Sequence, residues 1–341
     1  MDFEVLQDKQ RLIVERFGPW VANNICISDD FYTMGRRIVG DELKLRRVLQ
    51  IVVDVVRRPL NTLRILDLGC LEGLYAIEFA RHGAEVVGIE GREMHIEKAR
   101  FVKDALALQK LEFFQDDVRN LSQAKYGTFD VVLCLGILYH LDTPDVFSFL
   151  ERVAEVCKDV VIIDTLIAPG PTTPYEYKGT TYWGTPVREH DPGSSTQDKI
   201  KRYAHSLDNE NSFFLSRTSL YCMLVRLGFT SVYECYIPPE PTKAIDRITL
   251  VAIKGSQSKI INSPLMNSYP QESSPENFAA HKVERMYGKF YRMVKLLVPR
   301  QLRSLVVSLG FLYKLFRPHR YKNLRAGSMT EVPTATTAKR H

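Results

Sequence analysis

The sequence predicts an α/β fold, a doubly wound, seven-stranded sheet with a final antiparallel strand, and three observations predict it. From Leu63 onward, short β-rich runs alternate with amphipathic stretches of helix length. Runs such as VVLCLG and VVII are apolar nearly throughout, as parallel strands covered on both faces are. The last two strand-like runs are joined by IPPEPTKAID, which is too short for a crossover helix and therefore favours an antiparallel ending.

The elements follow in chain order. Residues 1–60 read as an N-terminal helical cap: in Asp41–Val56, Leu45, Val48, Leu49, Val52 and Val56 fall on one helical face, after an irregular aromatic stretch, FGPWVANNICISDDFYTMG. Residues 61–255 carry the sheet. Strands are expected at Arg64–Leu68, Glu85–Glu90, Leu111–Gln115, Phe129–Leu135, Asp159–Asp164, Thr230–Tyr236 and Ile248–Lys254, with helices at Gly73–Arg81, Glu93–Leu108, Thr143–Val156 and Thr218–Leu227. Residues 165–212 are rich in Pro, Gly, Tyr and charge and read as an inserted acceptor lid. Residues 256–280 are a Ser-, Asn- and Pro-rich flexible linker, 281–325 a pair of C-terminal amphipathic helices, and 326–341 a disordered tail.

Charge is distributed unevenly. The 341-residue chain carries a net +6, yet residues 281–325 hold twelve Lys and Arg against one acid, Glu284, so the first 280 residues are acidic. A nucleic-acid enzyme spreads positive charge over its catalytic face, so this pattern argues against a nucleic-acid substrate. In the basic segment Met286, Phe290, Met293, Val294 and Leu297 share one helical face, and Leu302, Leu305, Val306, Leu309, Leu312 and Phe316 share another beyond Pro299. Two readings stand: an interfacial helix on an anionic membrane surface, or a hairpin packed on the acidic body or a second subunit. The six cysteines form no CxxC pair and no zinc-spaced cluster, which predicts reduced thiols and no metal site. With no apolar leader and no run of eighteen apolar residues, the expected location is cytoplasmic, with peripheral membrane contact as the extension.

The chemistry concentrates in LRILDLGCLEGLYAIEFARHGAEVVGIEGR, residues 63–92. A strand ends in Asp67, Gly69 and Gly73 shape a tight turn, and a second strand ends in Glu90, about twenty residues after the glycines. That is the spacing at which a carboxylate reaches a ribose diol. Asp117, in FFQDDV, stands where an adenine amino group needs an acceptor, and FDVVLCLGILYHL closes the fourth strand at the carboxyl edge of the sheet.

This order resembles the class I methyltransferase superfamily over roughly residues 60–255, and the resemblance implies a Rossmann-like sheet and S-adenosyl-L-methionine as cofactor. It places the amino-acid end of the cofactor over the Asp67–Gly73 turn, with Gly69, Cys70 and Glu72, ribose on Glu90, and adenine on Asp117 beside Val118 and Leu135. The superfamily usually has glycine where this chain has Leu71; the side chain narrows the methionine end, and Glu72 then stands in by binding the cofactor's ammonium.

A sulfonium methyl is already activated, so transfer is an in-line displacement that needs alignment and exclusion of water. A hydroxyl acceptor also needs a base. Tyr139 and His140 follow the fourth strand; His140 is either that base or a residue capping the crevice wall. His190, in WGTPVREHD, is the second candidate, and Asp164 can orient a base or substrate hydroxyl. The lid aromatics Tyr175, Tyr177, Tyr182 and Trp183 either line an acceptor pocket or pack the lobe.

The expected function is methyl transfer to a small-molecule, glycan or lipid-linked acceptor at oxygen. Two alternatives accompany it. GILYH, NSFFLSRTSL and RLGF resemble the tRNA wobble-uridine carboxymethyltransferases, which use a carboxylated cofactor and need cations beside it, for which Arg36, Arg37 and Lys44 are available. The other is a non-catalytic cofactor-binding scaffold.

Overall fold

In the strands of the sheet, successive side chains point to opposite faces, and both faces are apolar, so each face recruits its own layer of helices. The computed structural model describes residues 3–29, 31–35, 42–170, 172–235, 246–256 and 258. Residues 36–41, which include Arg36 and Arg37, lie outside them, as do the linker beyond residue 258, the basic segment 281–325 and the tail.

The chain opens with helix α1 (Phe3–Phe17), a small hairpin of β1 (Cys26–Ser28) and β2 (Phe31–Tyr32), and helix α2 (Glu42–Val56). The hairpin is an addition to the helical cap read from sequence. The alternation then runs β3 (Arg64–Leu68), α3 (Leu74–Arg81), β4 (Glu85–Glu90), α4 (Glu93–Ala105), β5 (Leu111–Gln115), the short α5 (Gln123–Tyr126), β6 (Phe129–Leu135), α6 (Asp145–Val156) and β7 (Cys157–Leu166). An inserted three-stranded sheet follows, β8 (Thr173–Tyr177) and β9 (Thr180–Arg188), then helix α7 (Thr196–Lys201) and β10 (Asn211–Leu215). The domain closes with α8 (Arg217–Arg226), β11 (Ser231–Cys235) and β12 (Arg247–Ile253).

The main sheet has the order β11-β12-β7-β6-β3-β4-β5. Strands β3 to β7 are mutually parallel, whereas β12 is antiparallel to both β7 and β11. The fold is thus the Rossmann-like, seven-stranded arrangement with one reversed strand. Alternation along β6 shows how it is held: Val132 and Cys134 join the core with Phe147, Leu150 and Val153 of α6 and Leu220 and Leu224 of α8. Val131 and Leu133 join the opposite core with Val48 and Val52 of α2, Phe79 of α3, and Ile96 and Val102 of α4.

The carboxyl ends of β3, β4, β5 and β6 share one edge. Strand order reverses there between β3 and β6, which opens a crevice. The insert packs beside it. Phe147 of α6 stacks against Tyr175 and Tyr177 at 5.5 and 4.9 Å between ring centroids, and against Tyr182 and Phe213 at 5.0 and 6.4 Å.

Candidate active site

The crevice holds a cavity of about 440 Å³, within the range of small-molecule sites. Gly69, Leu71, Glu90, Asp117, Val118, Leu135, Tyr139 and His140 line it, and so do Val21, Ala22 and Asn23 of the N-terminal segment and residues 203–209 of the insert.

The turn after β3 is shaped by backbone demands. Gly69 and Gly73 have φ of +64° and +87°, and a Cβ on Gly73 would lie 2.8 Å from Phe113 and 3.0 Å from Ala99. Leu71 sits between them at φ +48°, a left-handed conformation that glycine adopts without steric cost and a leucine does not. Its side chain lines the cavity, so the leucine both strains the turn and narrows the pocket.

The carboxylates behind this turn differ from one another. Asp67 is buried, accepts a hydrogen bond from the Ala76 amide at 3.1 Å, and does not line the cavity. Burial pushes its carboxyl up to about 7. Glu90 lines the cavity while accepting from the Leu71 amide at 3.2 Å and the Arg92 amide at 2.9 Å. A carboxylate has roughly four lone-pair directions, so Glu90 keeps acceptor capacity for a diol, and burial raises its pKa above the ordinary range. Asp117 also faces the cavity, with Oδ1 capping the Arg119 amide at 2.8 Å and Oδ2 on the Arg119 guanidinium at 2.5 Å.

Glu72 does not take the place expected for it. Its carboxylate is fully buried and points away from the cavity. It accepts from the amides of Val21 at 2.8 Å, Ala22 at 3.0 Å and Asn23 at 2.9 Å, with Lys98 Nζ at 3.4 Å. Three amides and an ammonium occupy it, so it anchors the N-terminal segment instead of binding an ammonium of the cofactor. Cys70 and Gly73 likewise stand behind the cavity wall: the Cys70 thiol is buried and its pKa pushed well up by burial.

Elsewhere on the cavity wall, His140 Nδ1 lies 2.9 Å from Glu189 Oε1. The carboxylate can only accept, so Nδ1 carries a proton, and in the neutral ring Nε2 then keeps its lone pair. Glu189 Oε2 accepts from the Ser206 amide at 3.0 Å and lies 3.4 Å from His205 Nδ1. Burial pushes the Glu189 carboxyl up, and the His140 bond and charge with the Ser206 amide outweigh it, so the group stays below the ordinary glutamate range. Tyr139 stacks against His140 at 4.3 Å, and the Arg247 guanidinium lies 5.6 Å from the Tyr139 ring centroid. Burial raises the Tyr139 pKa against the pull of Arg247, which makes the phenol a hydrogen-bonding wall and a poor base.

His190 is corrected as a candidate base. It is buried, its Nε2 meets the Ser206 carbonyl at 2.9 Å, and it does not line the cavity. The lid tyrosines and Trp183 are absent from the cavity wall too; the tyrosines pack the lobe on Phe147. Asp164 is buried between cations, with Lys44 at 2.9 Å, Arg247 at 2.5 Å and the Thr249 hydroxyl at 2.8 Å.

Sequence reasoning missed Glu189, Arg92 and Arg247. Glu189 is the neighbour of His190 in REHD, and Arg92 lies two residues after Glu90 in EGR, but nothing in the spacing distinguishes them from surface charges.

Fold and site together resemble those of class I, S-adenosylmethionine-dependent methyltransferase domains. Residues 65–159 match the family of the methyltransferase domain. Among curated proteins, the ubiquinone biosynthesis O-methyltransferase of Acinetobacter baumannii (strain AYE) is 31% identical over 107 residues, which is 31% of this chain and 40% of that protein. The enzyme of the same name from Vibrio cholerae is 31% identical over 140 residues, 40% of this chain and 56% of its own. The match therefore spans about half or less of these relatives. Among solved structures, the N-terminal domain of EvdMO1, crystallised in the presence of SAH and D-fucose, is 25% identical with a TM-score of 0.56, covering 73% of this chain and 97% of that one.

Proposed function

We propose that the protein transfers the methyl group of S-adenosyl-L-methionine to a hydroxyl of a small-molecule, glycan or lipid-linked acceptor. The observation that carries this reading is His140, on the wall of the cavity that Glu90 and Asp117 also line, held by Glu189 behind it. When bound, the cofactor supplies a sulfonium methyl that needs alignment more than activation. Gly69 and Leu71 would cradle its amino-acid end, Glu90 the ribose, and Asp117 with Val118 and Leu135 the adenine. His140 would take the acceptor's hydroxyl proton at Nε2, and Glu189 would hold the resulting imidazolium charge. The O-methyltransferase relatives support oxygen as the acceptor atom, and the D-fucose present with the EvdMO1 domain makes sugars the first acceptors to try.

Among the described residues no helix is long and apolar enough to cross a membrane. The basic segment 281–325 would place a lipid-linked acceptor within reach through an anionic surface.

Titration calorimetry with S-adenosylmethionine and S-adenosylhomocysteine tests the premise, and absence of binding by either defeats it. With an acceptor found among deoxysugars, phenols and polyprenyl-linked sugars, His140→Gln should lower turnover about a hundredfold or more while leaving cofactor affinity near wild type. Unchanged turnover would remove His140 as the base.

A second reading has its own observation. Lys44 and Arg247 both line the cavity and meet at one carboxylate, Asp164. Two cations on the wall suit a carboxylated cofactor and the carboxymethyl transfer of the wobble-uridine enzymes. Competition calorimetry between the two cofactors decides it: preference for the carboxylated form supports this reading, and preference for S-adenosylmethionine rejects it.

A further inference from the structure

Arg92 directly follows the turn out of the ribose strand β4, yet its guanidinium turns toward the insert. Its Nε donates to the Ile200 carbonyl at 2.9 Å, and Nη2 is within 3.1 Å of the carbonyls of Arg202 and Ser206 and 2.9 Å from that of His205. The side chain is nearly buried, at 6% exposure. A buried guanidinium held by carbonyl oxygens fixes the path of the backbone that supplies them. The loop is also packed close: a Cβ on Gly91 would lie 2.8 Å from Leu207.

The same loop meets the His140–Glu189 pair. The Ser206 amide donates to Glu189 Oε2, and the other oxygen of Glu189 receives His140 Nδ1. Asn209 donates to the His140 carbonyl at 3.2 Å. One backbone segment thus has a cation from the ribose strand on its carbonyl side, and on its amide side the acid that orients the histidine.

We propose that Arg92 and Glu189 are positioning residues, which act through the 200–209 loop to fix His140 in the tautomer with Nδ1 protonated and Nε2 open to an acceptor. The inference deepens the reading of His140 as the base and rests on it for its catalytic meaning, but the geometry it claims is measurable without an acceptor. Because Arg92 sits two residues from the ribose acid Glu90, the loop that shapes the base is attached to the strand that holds the cofactor. Coupling of this kind is reciprocal: whatever Arg92 contributes to the Glu189–His140 arrangement, that arrangement returns to the Arg92-bound loop.

The test is nitrogen-15 NMR of the histidine side chains in the full chain at pH 8, with the His140 signals assigned by their loss in His140→Gln. Wild type should show His140 as a single tautomer protonated at Nδ1. Arg92→Lys keeps the charge but cannot span four carbonyls, and should convert His140 to a mixture of tautomers. Glu189→Gln leaves one carbonyl oxygen for donors that two oxygens served, so either His140 loses its fixed tautomer or the Ser206 amide exchanges with solvent at least tenfold faster. A tautomer mixture in wild type, a fixed tautomer in folded Arg92→Lys, or no change in both Glu189→Gln readouts would each overturn the proposal. If Arg92→Lys does not fold, amide exchange over 200–206 in Glu189→Gln gives the reciprocal measurement; faster exchange supports the coupling, and unchanged exchange overturns it. The outcomes separate from those of the base reading. A His140→Gln enzyme that still transfers methyl would refute the base and leave the positioning network standing.

Discussion

Replacing Glu72 by glutamine changes one atom and removes one charge, yet the structure makes it a severe substitution. The carboxylate serves four donors: the amides of Val21, Ala22 and Asn23, and the Lys98 ammonium. Glutamine offers a single acceptor oxygen and brings two donors of its own, so at least one amide faces an N–H group. A buried donor left unsatisfied costs about 1–3 kcal/mol. Lys98, fully buried, also loses its counter-charge, and breaking a buried pair costs about 3–5 kcal/mol. The terms overlap, because Lys98 still donates to the Pro19 carbonyl at 2.6 Å and is already inclined by burial to give up its proton. The expected loss is therefore about 3–5 kcal/mol in total, a large part of a typical domain's stability. Urea unfolding followed by circular dichroism should show a lower midpoint with an unchanged slope. Since Val21, Ala22 and Asn23 form part of the cavity wall, affinity for S-adenosylhomocysteine should fall about tenfold, equivalent to about 1.4 kcal/mol. The double variant Glu72→Gln with Lys98→Met, which keeps one acceptor oxygen and removes the unpaired ammonium, should recover part of the stability. A loss below about 1 kcal/mol with unchanged affinity would refute the reasoning.

Asp67 should give the cofactor-free protein a pH-dependent stability. Its pKa rises from 3.8 to about 7 on folding, so its contribution is fully present below pH 4 and lost as pH climbs through 7, a swing of roughly 4 kcal/mol at most. Asp67→Asn should flatten that part of the melting-temperature profile, and an unaltered profile would show that Asp67 is not its source. Leu71→Gly should leave stability within about 1 kcal/mol, because relief of the left-handed strain offsets the added freedom of the unfolded chain. It should also admit cofactor analogues with a bulkier amino-acid end, so identical analogue selectivity in calorimetry would show that Leu71 does not limit the pocket. A chain ending near Asn277 should fold and bind cofactor but, unlike the full chain, stay in solution with anionic vesicles at low salt. Sedimentation of both with the vesicles, or of neither, would discard the membrane role of residues 281–325.

The sheet was legible because strand physics repeats on a short period. Runs such as RILDL and FDVVLCL announce burial on both faces, and IPPEPTKAID was short enough to require reversal of β12. The cavity residues Gly69, Glu90, Asp117 and Leu135 were equally readable, since each ends a strand or follows it directly, where topology fixes position. What failed depended on contacts between distant segments. Glu72 looked available because its partners, the amides of residues 21–23, lie fifty positions away and carry no side-chain signal. His190 and Glu189 are neighbours in sequence with opposite fates, one buried behind the wall and one set against His140. Both follow the end of β9, and their amides meet the same Glu210 carbonyl, so sequence position alone does not tell them apart.

The His140–Glu189 pair is shared between two kinds of sequence. His140 lies within the stretch 65–159 that matches the methyltransferase family, whereas Glu189 comes from the insert, outside it. A protein that aligned with this one over the matched stretch alone would inherit the histidine without the carboxylate that turns it. Likeness in that stretch is therefore informative about the cofactor and nearly silent about the reaction. The same division gives an engineer a seam: exchanging the insert for another of equal length would keep the matched stretch and change, in one step, both the residues 203–209 that line the cavity and the carboxylate that holds His140.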